Sequence, residues 1–213
     1  MLTVAHTTPA DPFACQRLAA LGVTVFEIDV RLRNDRVVAT HYLPLLPRLE
    51  LVQRHNRRVR VTGPWTRDVP LDQVAGNVPP QCRILLDCKD DTGTRAARLS
   101  HRIRLSLTDP GRYVVASKNW SALAPLRASG FEVWASAAAQ GALTALISGD
   151  VECDAVTVRH SLLTHDAVRA LGQAYGGVVA WTVNDVSRAQ VLTAMGVSGL
   201  TSDDPRVLGM SKD

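Results

Sequence analysis

The sequence VFEIDV, residues 25–30, is the stretch that decides the fold. Successive side chains of an extended strand point to opposite sides, so Glu27 and Asp29 would project together from an otherwise apolar strand. Two carboxylates on one side of such a strand are costly in a core unless a cation lies between them. A hard divalent cation such as Mg²⁺ or Ca²⁺ prefers oxygen ligands and would meet that need. A pair exposed to water on an edge strand is the alternative.

Other apolar stretches of the chain also place polar residues at their carboxyl ends. They are LTVAH (2–6), ILLDCK (84–89), VVAWTVN (178–184) and GLTSD (199–203), and His41 follows the apolar run 37–39. The carboxyl ends of the strands are where parallel α/β folds, and barrels above all, build their sites. The polar residues of these stretches are therefore candidates for one common site.

Short apolar runs alternate with amphipathic stretches along most of the chain. The runs predict strands at approximately 2–6, 24–30, 83–88, 112–117, 131–135, 154–158, 178–182 and 198–202. The amphipathic stretches predict helices at 11–21, 94–107, 121–128, 162–175 and 186–195, several of them ending at a glycine: Gly22, Gly130, Gly176 and Gly196. Eight strands with intervening helices predict a (β/α)8, TIM-like barrel. The competitor, an open doubly wound sheet, should carry a glycine-rich phosphate loop after its first strand, and residues 6–9, HTTP, are not one.

The region between the second and third predicted strands is irregular. A hairpin-like turn at 34–36 leads to His41, and residues 42–82 are rich in Pro, Arg and isolated apolar residues. A connection this long in a compact domain usually has a function, so we expect an insertion that acts as a lid. The length of 213 residues fits one domain, predicted to span 1–213 with a frayed tail at 209–213.

Composition indicates an ordinary soluble protein, with 46% hydrophobic and 21% charged residues. The net charge of +4 is mild, and the cluster at 54–60 that supplies much of it fits a solvated face better than a binding patch, so we expect no nucleic-acid partner. No apolar run approaches the length of a membrane span, and the first residues read directly as a strand, which predicts a cytoplasmic protein. Reduced, packed thiols are predicted for the four cysteines: Cys15, Cys82, Cys88 and Cys153.

Taken together, the motifs resemble the glycerophosphodiester phosphodiesterase family, a barrel of the phosphatidylinositol phospholipase C-like type. The matching segments are VAHT (4–7), FEIDVRLRNDRVVATH (26–41), ILLDCKD (84–90), VVASKNWSAL (114–123) and AWTVNDVSRAQVLTAMGVSGLTSDDP (180–205). The family pattern has His-Arg ending strand one, Glu-x-Asp on strand two and His-Asp about a dozen residues later. It continues with acid-x-Lys on strand three and Trp-Thr-Val-Asn on strand seven. The resemblance runs from about residue 2 to residue 207 and is weak in the insertion.

The resemblance implies a phosphoric diester hydrolase of lipid metabolism that cleaves a small-molecule or lipid-derived phosphodiester to glycerol phosphate and an alcohol. The implied roles are Glu27, Asp29 and Asp87 as ligands of a Ca²⁺ or Mg²⁺ ion, His6 and His41 as general acid and base, and Lys89 as a phosphate contact. These residue types suit the chemistry, because cations neutralise charge developing on phosphorus and imidazoles transfer protons near neutral pH.

The chain departs from the family pattern beside both histidines. Thr7 stands in the place of the arginine, whose charge and planar donor geometry a hydroxyl cannot replace. Tyr42 stands in the place of the aspartate, and Asp87 stands where glutamate is common. The Glu-Asn pair of the family's first loop is absent.

Residues at the ends of other predicted strands offer replacements for the lost charge. Lys118 and Arg159, with His160 beside it, would face the barrel mouth, and one of Lys118 or Arg159 would supply the missing phosphate contact. Trp181 would either form a wall of the site or pack in the core.

The remaining candidates have structural interpretations. Asn184 with Asp185 fits a helix cap first and a site residue second, and 203–205 fits a turn. Solvated or structural positions are expected for five further residues: His55, His101, His165, Trp65 and Trp120.

Two other functions stay open. A degenerate family member would bind a phosphorylated ligand without turnover, although retention of the six residues with implied roles argues against it. A phospholipase D-like lyase would act on lysolipids and stop at a cyclic phosphate. An exposed apolar rim on the insertion would favour the lipid, the residues being Leu43, Leu45, Leu46, Leu49 and Leu51.

Overall fold

The computed structural model describes residues 1–6, 8, 11–40, 44–46, 49–50, 69–90, 92–149 and 151–212. Within these ranges the chain forms twelve strands. In chain order they are β1 (Leu2–Ala5), β2 (Val25–Arg33), β3 (Arg36–Ala39), β4 (Pro44–Leu46), β5 (Leu49–Glu50), β6 (Val69–Pro70), β7 (Arg83–Cys88), β8 (Tyr113–Ser117), β9 (Glu132–Ala137), β10 (Ala155–Arg159), β11 (Val178–Trp181) and β12 (Gly199–Ser202).

Eight of these strands, β1, β2 and β7 to β12, are parallel and close into a barrel. Their order around the wall is β1-β2-β7-β8-β9-β10-β11-β12, and β12 pairs with β1 to complete the circle. The predicted (β/α)8 barrel is confirmed, and the open doubly wound sheet is excluded. Strands buried on both faces carry near-continuous apolar runs, which is why these eight stood out in the sequence.

A hairpin extends the barrel wall at β2. β3 pairs antiparallel with the end of β2 through a turn in which Asn34 and Asp35 have positive φ angles of 46° and 63°, and β6 pairs antiparallel with β3. Asparagine and aspartate tolerate this left-handed conformation better than most residues do. The hairpin predicted at 34–36 is therefore confirmed.

Helices surround the barrel. The described α-helices are α1 (Pro12–Ala20), α2 (Leu71–Ala75), α3 (Gly93–Ser106), α4 (Ala124–Arg127), α5 (Gln140–Ile147), α6 (His165–Ala174), α7 (Val186–Ala194) and α8 (Pro205–Leu208). Their apolar side chains, such as Leu99, Leu143, Leu171 and Leu192, pack with the outward side chains of the strands in the larger core cluster. None of the helices in the described ranges is long and apolar enough to cross a bilayer.

Three of the four glycines predicted to end helices do so in the left-handed conformation. Gly22, Gly130 and Gly196 have φ angles of 103°, 87° and 91°, a region that costs other residues strain. Gly176 has another reason to be glycine. A Cβ there would lie 2.7 Å from the backbone oxygen of Asp154, so the close approach of two chain segments requires its absence.

The structure differs from the sequence prediction in two segments. The predicted insertion, 42–82, ends in α2 and the turn after it, where Leu71 and Val78 are buried in the core. The predicted frayed tail contains a 3-10 helix, Gly209–Lys212, and Met210 packs against the core. Both segments are too short to give a periodic signal in the sequence. Packing against the rest of the barrel stabilises such short helices.

The lid and the apolar rim predicted on the insertion stay predictions. The leucines named for that rim have no described side chains, and residues 51–68 lie outside the described part of the chain, together with the arginine cluster at 54–60.

All four cysteines are free thiols, as predicted. Cys15, Cys82 and Cys88 are buried, and burial raises the pKa of the Cys15 thiol to about 11. At neutral pH such a group stays protonated and packs as a small apolar side chain.

Candidate active site

Strand alternation aims one set of side chains at the barrel axis. Val4, Val25, Leu85, Val114 and Val179 belong to the inner core cluster, distinct from the outer one. Residues two and four positions further along each strand have the same orientation and reach the carboxyl end of the barrel. Besides small hydroxyl residues, this inward set includes His6, Glu27, Asp29, Asp87, Lys89, Lys118, Arg159, Trp181 and Asp203. The barrel therefore gathers every described site residue predicted from the sequence at one mouth.

Three carboxylates form the centre of the mouth. Glu27, Asp29 and Asp87 each offer an oxygen, and these oxygens all lie within 4.8 Å of one another. Asp29 and Asp87 occupy paired positions on the neighbouring parallel strands β2 and β7, which explains their proximity. Glu27 is 3% exposed and Asp29 is 8% exposed, so these two acids are shielded from bulk water, whereas the Asp87 side chain is 23% exposed and opens the cluster to the mouth.

Burial and mutual repulsion oppose ionisation of these acids. Burial raises the pKa of Glu27 well above its ordinary value, and the neighbouring Asp29 charge raises it further. Burial also raises the pKa of Asp87, an effect that the Lys89 ammonium partly offsets. The protein thus concentrates negative charge in a place where it is costly.

Lys89 neutralises part of that charge. Its Nζ lies 2.8 Å from Asp29 Oδ1 and contacts Asp87 Oδ2. Burial disfavours its ammonium, but Asp87, Asp29 and Glu27 outweigh that effect and raise the pKa of Lys89 above its usual range. Lys89 was predicted to contact phosphate, and the structure places its ammonium against the carboxylates.

The cluster fits a hard divalent cation. Its three carboxylates outnumber the Lys89 ammonium, and all of its candidate ligand atoms are oxygens, the donor type that Ca²⁺ and Mg²⁺ prefer. A cation at this position would relieve the repulsion that raises the pKa of Glu27.

His6 is held by a network from the last barrel strand and the loop after β11. Its Nδ1 lies 2.8 Å from Asp203 Oδ1, and Asp203 Oδ2 accepts a hydrogen bond from Asn184 Nδ2 at 3.0 Å. Asn184 Oδ1 in turn accepts from the Asp203 backbone N–H at 2.8 Å and from Ser202 Oγ at 3.0 Å. An ionised Asp203 carboxylate can only accept, so this contact favours the tautomer of His6 with the proton on Nδ1 and with Nε2 left as the acceptor.

The sequence placed Asn184 and Asp203 among the polar residues at strand ends, but it favoured a helix cap for Asn184 and a turn for Asp203. The predicted capping and turn roles belong to their neighbours, since Asp185 accepts from the Arg188 backbone and Asp204 caps α8. The usable signal was strand alternation, because Asp203 lies two residues beyond the inward Thr201.

Two further cations lie at the mouth. Lys118 is exposed just beyond β8, and its charge contributes to lowering the pKa of Asp87 against the larger effect of burial. Arg159 ends β10, and its guanidinium lies over the Trp181 ring, 5.6 Å from the ring centroid. Trp181 is half-buried at the end of β11, and its role as a wall of the site stays a prediction.

His160 begins a 3-10 helix, His160–Leu162, and its backbone oxygen accepts from Arg188 of α7. Its buried Nδ1 has no hydrogen-bond partner among the described residues. Burial, followed by the charges of Arg188 and Arg159, lowers the pKa of His160. This histidine was predicted beside Arg159 at the mouth, and its contacts instead tie the β10 end to α7.

The predicted structural residues behave as expected where they are described. His101 and His165 are exposed, and Trp120 Nε1 donates to the Ser136 backbone oxygen at 3.1 Å. Thr7, His41, Tyr42, His55 and Trp65 lie outside the described residues.

No protein-family model matches this chain, and no curated protein matches its sequence. Solved structures match its fold over the whole chain. A Silicibacter pomeroyi protein assigned to the glycerophosphoryl diester phosphodiesterases is 18% identical with a TM-score of 0.73, covering 100% of this chain and 94% of that one. An Oleispira antarctica phosphodiesterase, solved in complex with the product sn-glycerol-3-phosphate, is 17% identical with a TM-score of 0.72, covering 100% and 97%.

A glycerophosphodiester phosphodiesterase of Thermotoga maritima is 14% identical with a TM-score of 0.68, again covering 100% of this chain and 97% of that one. Likeness at this level of identity establishes the fold, because one barrel fold hosts many activities. In its fold, this chain resembles the glycerophosphodiester phosphodiesterases.

Proposed function

We propose that this chain is a metal-dependent phosphodiesterase that hydrolyses glycerophosphodiesters to glycerol phosphate and an alcohol. The observation that carries the proposal is the carboxylate cluster at the carboxyl end of the barrel, in which Glu27 and Asp29 are buried and Asp87 is partly exposed. Active sites of such barrels are built at this end, and three solved barrels of similar fold bear the names of phosphodiesterases.

The acidic cluster would hold the divalent ion, Ca²⁺ or Mg²⁺. When bound, the ion would neutralise charge that develops on the phosphate oxygens. Lys89, which contacts Asp29 and Asp87, would remain beside the ion and complete the cationic surroundings of the phosphate.

Two histidines would move the protons. The glycerol 2-hydroxyl oxygen would attack phosphorus as the bond from phosphorus to the alcohol oxygen breaks. One histidine would take the hydroxyl proton and the other would give a proton to the leaving oxygen. Water would then open the cyclic phosphate and return both histidines to their starting protonation states. His6, oriented by Asp203, would be one of the two, and His41 would be the other.

Lys118 would supply the phosphate contact that Thr7 cannot make. Its charge acts on Asp87, so it lies within electrostatic range of the ion cluster. A Lys118→Ala variant should lose turnover by about 10- to 100-fold while keeping its thermal stability. Unchanged turnover would exclude Lys118 from this role.

The test of the proposed function is release of sn-glycerol 3-phosphate from glycerophosphodiesters with Ca²⁺ or Mg²⁺ and with EDTA. The variants are His6→Asn, His41→Ala and, as a control on the exposed face of α6, Asp166→Asn. We expect metal-dependent release that both histidine variants lose and the control retains. Absence of release from every diester with either metal would overturn the proposal and favour the non-catalytic binding protein, whereas accumulation of a cyclic phosphate would favour the lyase.

A further inference from the structure

The acidic cluster and Arg159 come from opposite walls of the barrel mouth. Glu27 and Asp29 project from β2, whereas Arg159 projects from β10, which is four strands away in either direction around the eight-stranded wall. Lys118 lies between them on the β8 side. Within the described ranges neither Arg159 nor Lys118 forms an ion pair, and the Lys118 charge acts on Asp87 only at longer range.

Arg159 occupies the aromatic surface that a cationic ligand would use. Quaternary ammonium groups bind over the faces of aromatic rings, tryptophan best of all. Here the protein's own guanidinium lies over the Trp181 ring, 5.6 Å from its centroid. The ring attracts the guanidinium, and a second cation near it meets the repulsion of the Arg159 charge.

From this geometry we propose that Arg159, stacked on Trp181, selects glycerophosphodiesters whose alcohol carries no positive charge. The glycerol and the phosphate are common to all such substrates. The β10 wall can therefore distinguish one substrate from another only by its alcohol, and Arg159 would do so by the charge of that alcohol. The proposal places the phosphate of the diester at the acidic cluster and its alcohol at the β10 wall, because β10 lies four strands from β2 across the barrel. A neutral polyol such as glycerol can accept hydrogen bonds from the guanidinium, whereas choline carries a fixed charge against it. This inference rests on the proposed diesterase activity.

The discriminating experiment compares kcat/KM for glycerophosphoglycerol and glycerophosphocholine with saturating Mg²⁺ or Ca²⁺. The variants are Arg159→Gln, Arg159→Lys and the matched control Arg169→Gln, an exposed arginine on α6. We expect the unaltered protein to favour glycerophosphoglycerol by about three- to tenfold, the range for one partly screened charge. The preference should vanish in Arg159→Gln, persist in Arg159→Lys and in the control, and shrink as salt is raised.

Calorimetric titration of both diesters gives a readout that does not need turnover. Preferential binding of glycerophosphoglycerol that depends on Arg159, without hydrolysis, would support the selectivity and overturn the proposed activity. Equal kcat/KM values, or a preference for glycerophosphocholine, would overturn the selectivity and leave the activity standing. Failure of both diesters to bind would overturn the two proposals together.

Discussion

Glu27 is a carboxylate that the fold places where it lowers stability. Its side chain is 3% exposed beside Asp29, and burial together with that neighbour raises its pKa. Uncompensated burial of like charges is unfavourable, and such groups are a hallmark of functional sites. The metal ion of the proposed function gives the reason for the arrangement.

Replacement of Glu27 should therefore lower the activity without lowering the stability of the protein. Glu27→Gln keeps the shape of the side chain but removes a charge, so we expect a loss of turnover of about 100-fold or more, because a ligand of the proposed ion is lost. The melting temperature without metal should stay equal or rise, since repulsion with Asp29 is relieved. Diester hydrolysis and calorimetric melting are the measurements. A variant that melts well below the unaltered protein while keeping its turnover would refute both expectations.

We expect Asp203 to fix the orientation and the tautomer of the His6 ring. Asp203→Asn would keep most of the size but weaken the hold on the Nδ1 proton, so turnover should fall by about 100-fold or more through the wrong tautomer of His6. Asn184→Ala should cost less, because Asp203 would lose one anchor and keep its charge. The pH–rate profile is the decisive measurement. Its limb for the basic form should move in Asp203→Asn, and a profile of unchanged shape would reduce Asp203 to a structural role.

The two kinds of site residue differ in how far the sequence could predict them. Glu27 and Asp29 can be predicted from a single strand, because the alternation of side chains alone puts them on one side. The contact between His6 and Asp203 joins residues 197 positions apart, across the seam where the last barrel strand meets the first. No local pattern carries that information, and only closure of the barrel creates it.

At the scale of the elements, Gly199 lies at the seam where β12 pairs with β1 and closes the barrel. It pairs with Leu2 across the seam between β12 and β1, and a Cβ at this position would lie 2.9 Å from Leu2 Cβ and 3.0 Å from the Leu2 backbone oxygen. The oxygen belongs to a strand that is paired on both sides, so it cannot easily move. The seam is therefore intolerant of a single methyl group.

We predict that Gly199→Ala lowers the free energy of unfolding by about 1–3 kcal/mol through this overpacking. The control is Gly141→Ala in α5, where an added Cβ meets nothing within 4 Å. That change should be neutral or stabilising by about 0.5–1 kcal/mol, because alanine loses less backbone entropy in a helix. Urea unfolding of the two variants gives the comparison. Equal stabilities would show that β1 and β12 can separate enough to admit the methyl group.

The strands and helices that could be predicted from the sequence are those whose buried side chains form a clear pattern along the chain. All eight barrel strands were predicted to within a few residues, because each is buried on both faces and bounded by polar turns. α5 was missed because its sequence, QGALTALI, is apolar around most of its circumference and lacks helical periodicity. α2 and α8 have five and four residues, too few for a periodic signal, and both depend on packing against the barrel.

At the scale of the whole molecule, the metal site and the stability of the barrel are linked. Glu27 and Asp29 lie on β2 and Asp87 lies on β7, so an ion bound by all three joins two adjacent strands of one closed wall. The three acids converge only in the folded barrel, and a ligand that binds the native state alone stabilises it by mass action. At 100 times its dissociation constant the ion would contribute about 2.7 kcal/mol.

For a chain of 213 residues this stabilisation corresponds to a rise in melting temperature of about 5–10 °C. We expect Ca²⁺ or Mg²⁺ to produce that rise, EDTA to reverse it, and Asp87→Asn to diminish it, because each carboxylate contributes charge to the ion. Asp109→Asn, an exposed position before β8, should respond to metal like the unaltered protein. If Asp87→Asn showed the same rise in melting temperature as the unaltered protein, the ion would bind away from this cluster. If the unaltered protein showed no rise with either metal, the proposed chemistry would have to proceed without the ion. Because melting needs no substrate, the result separates the existence of the site from the identity of the diester.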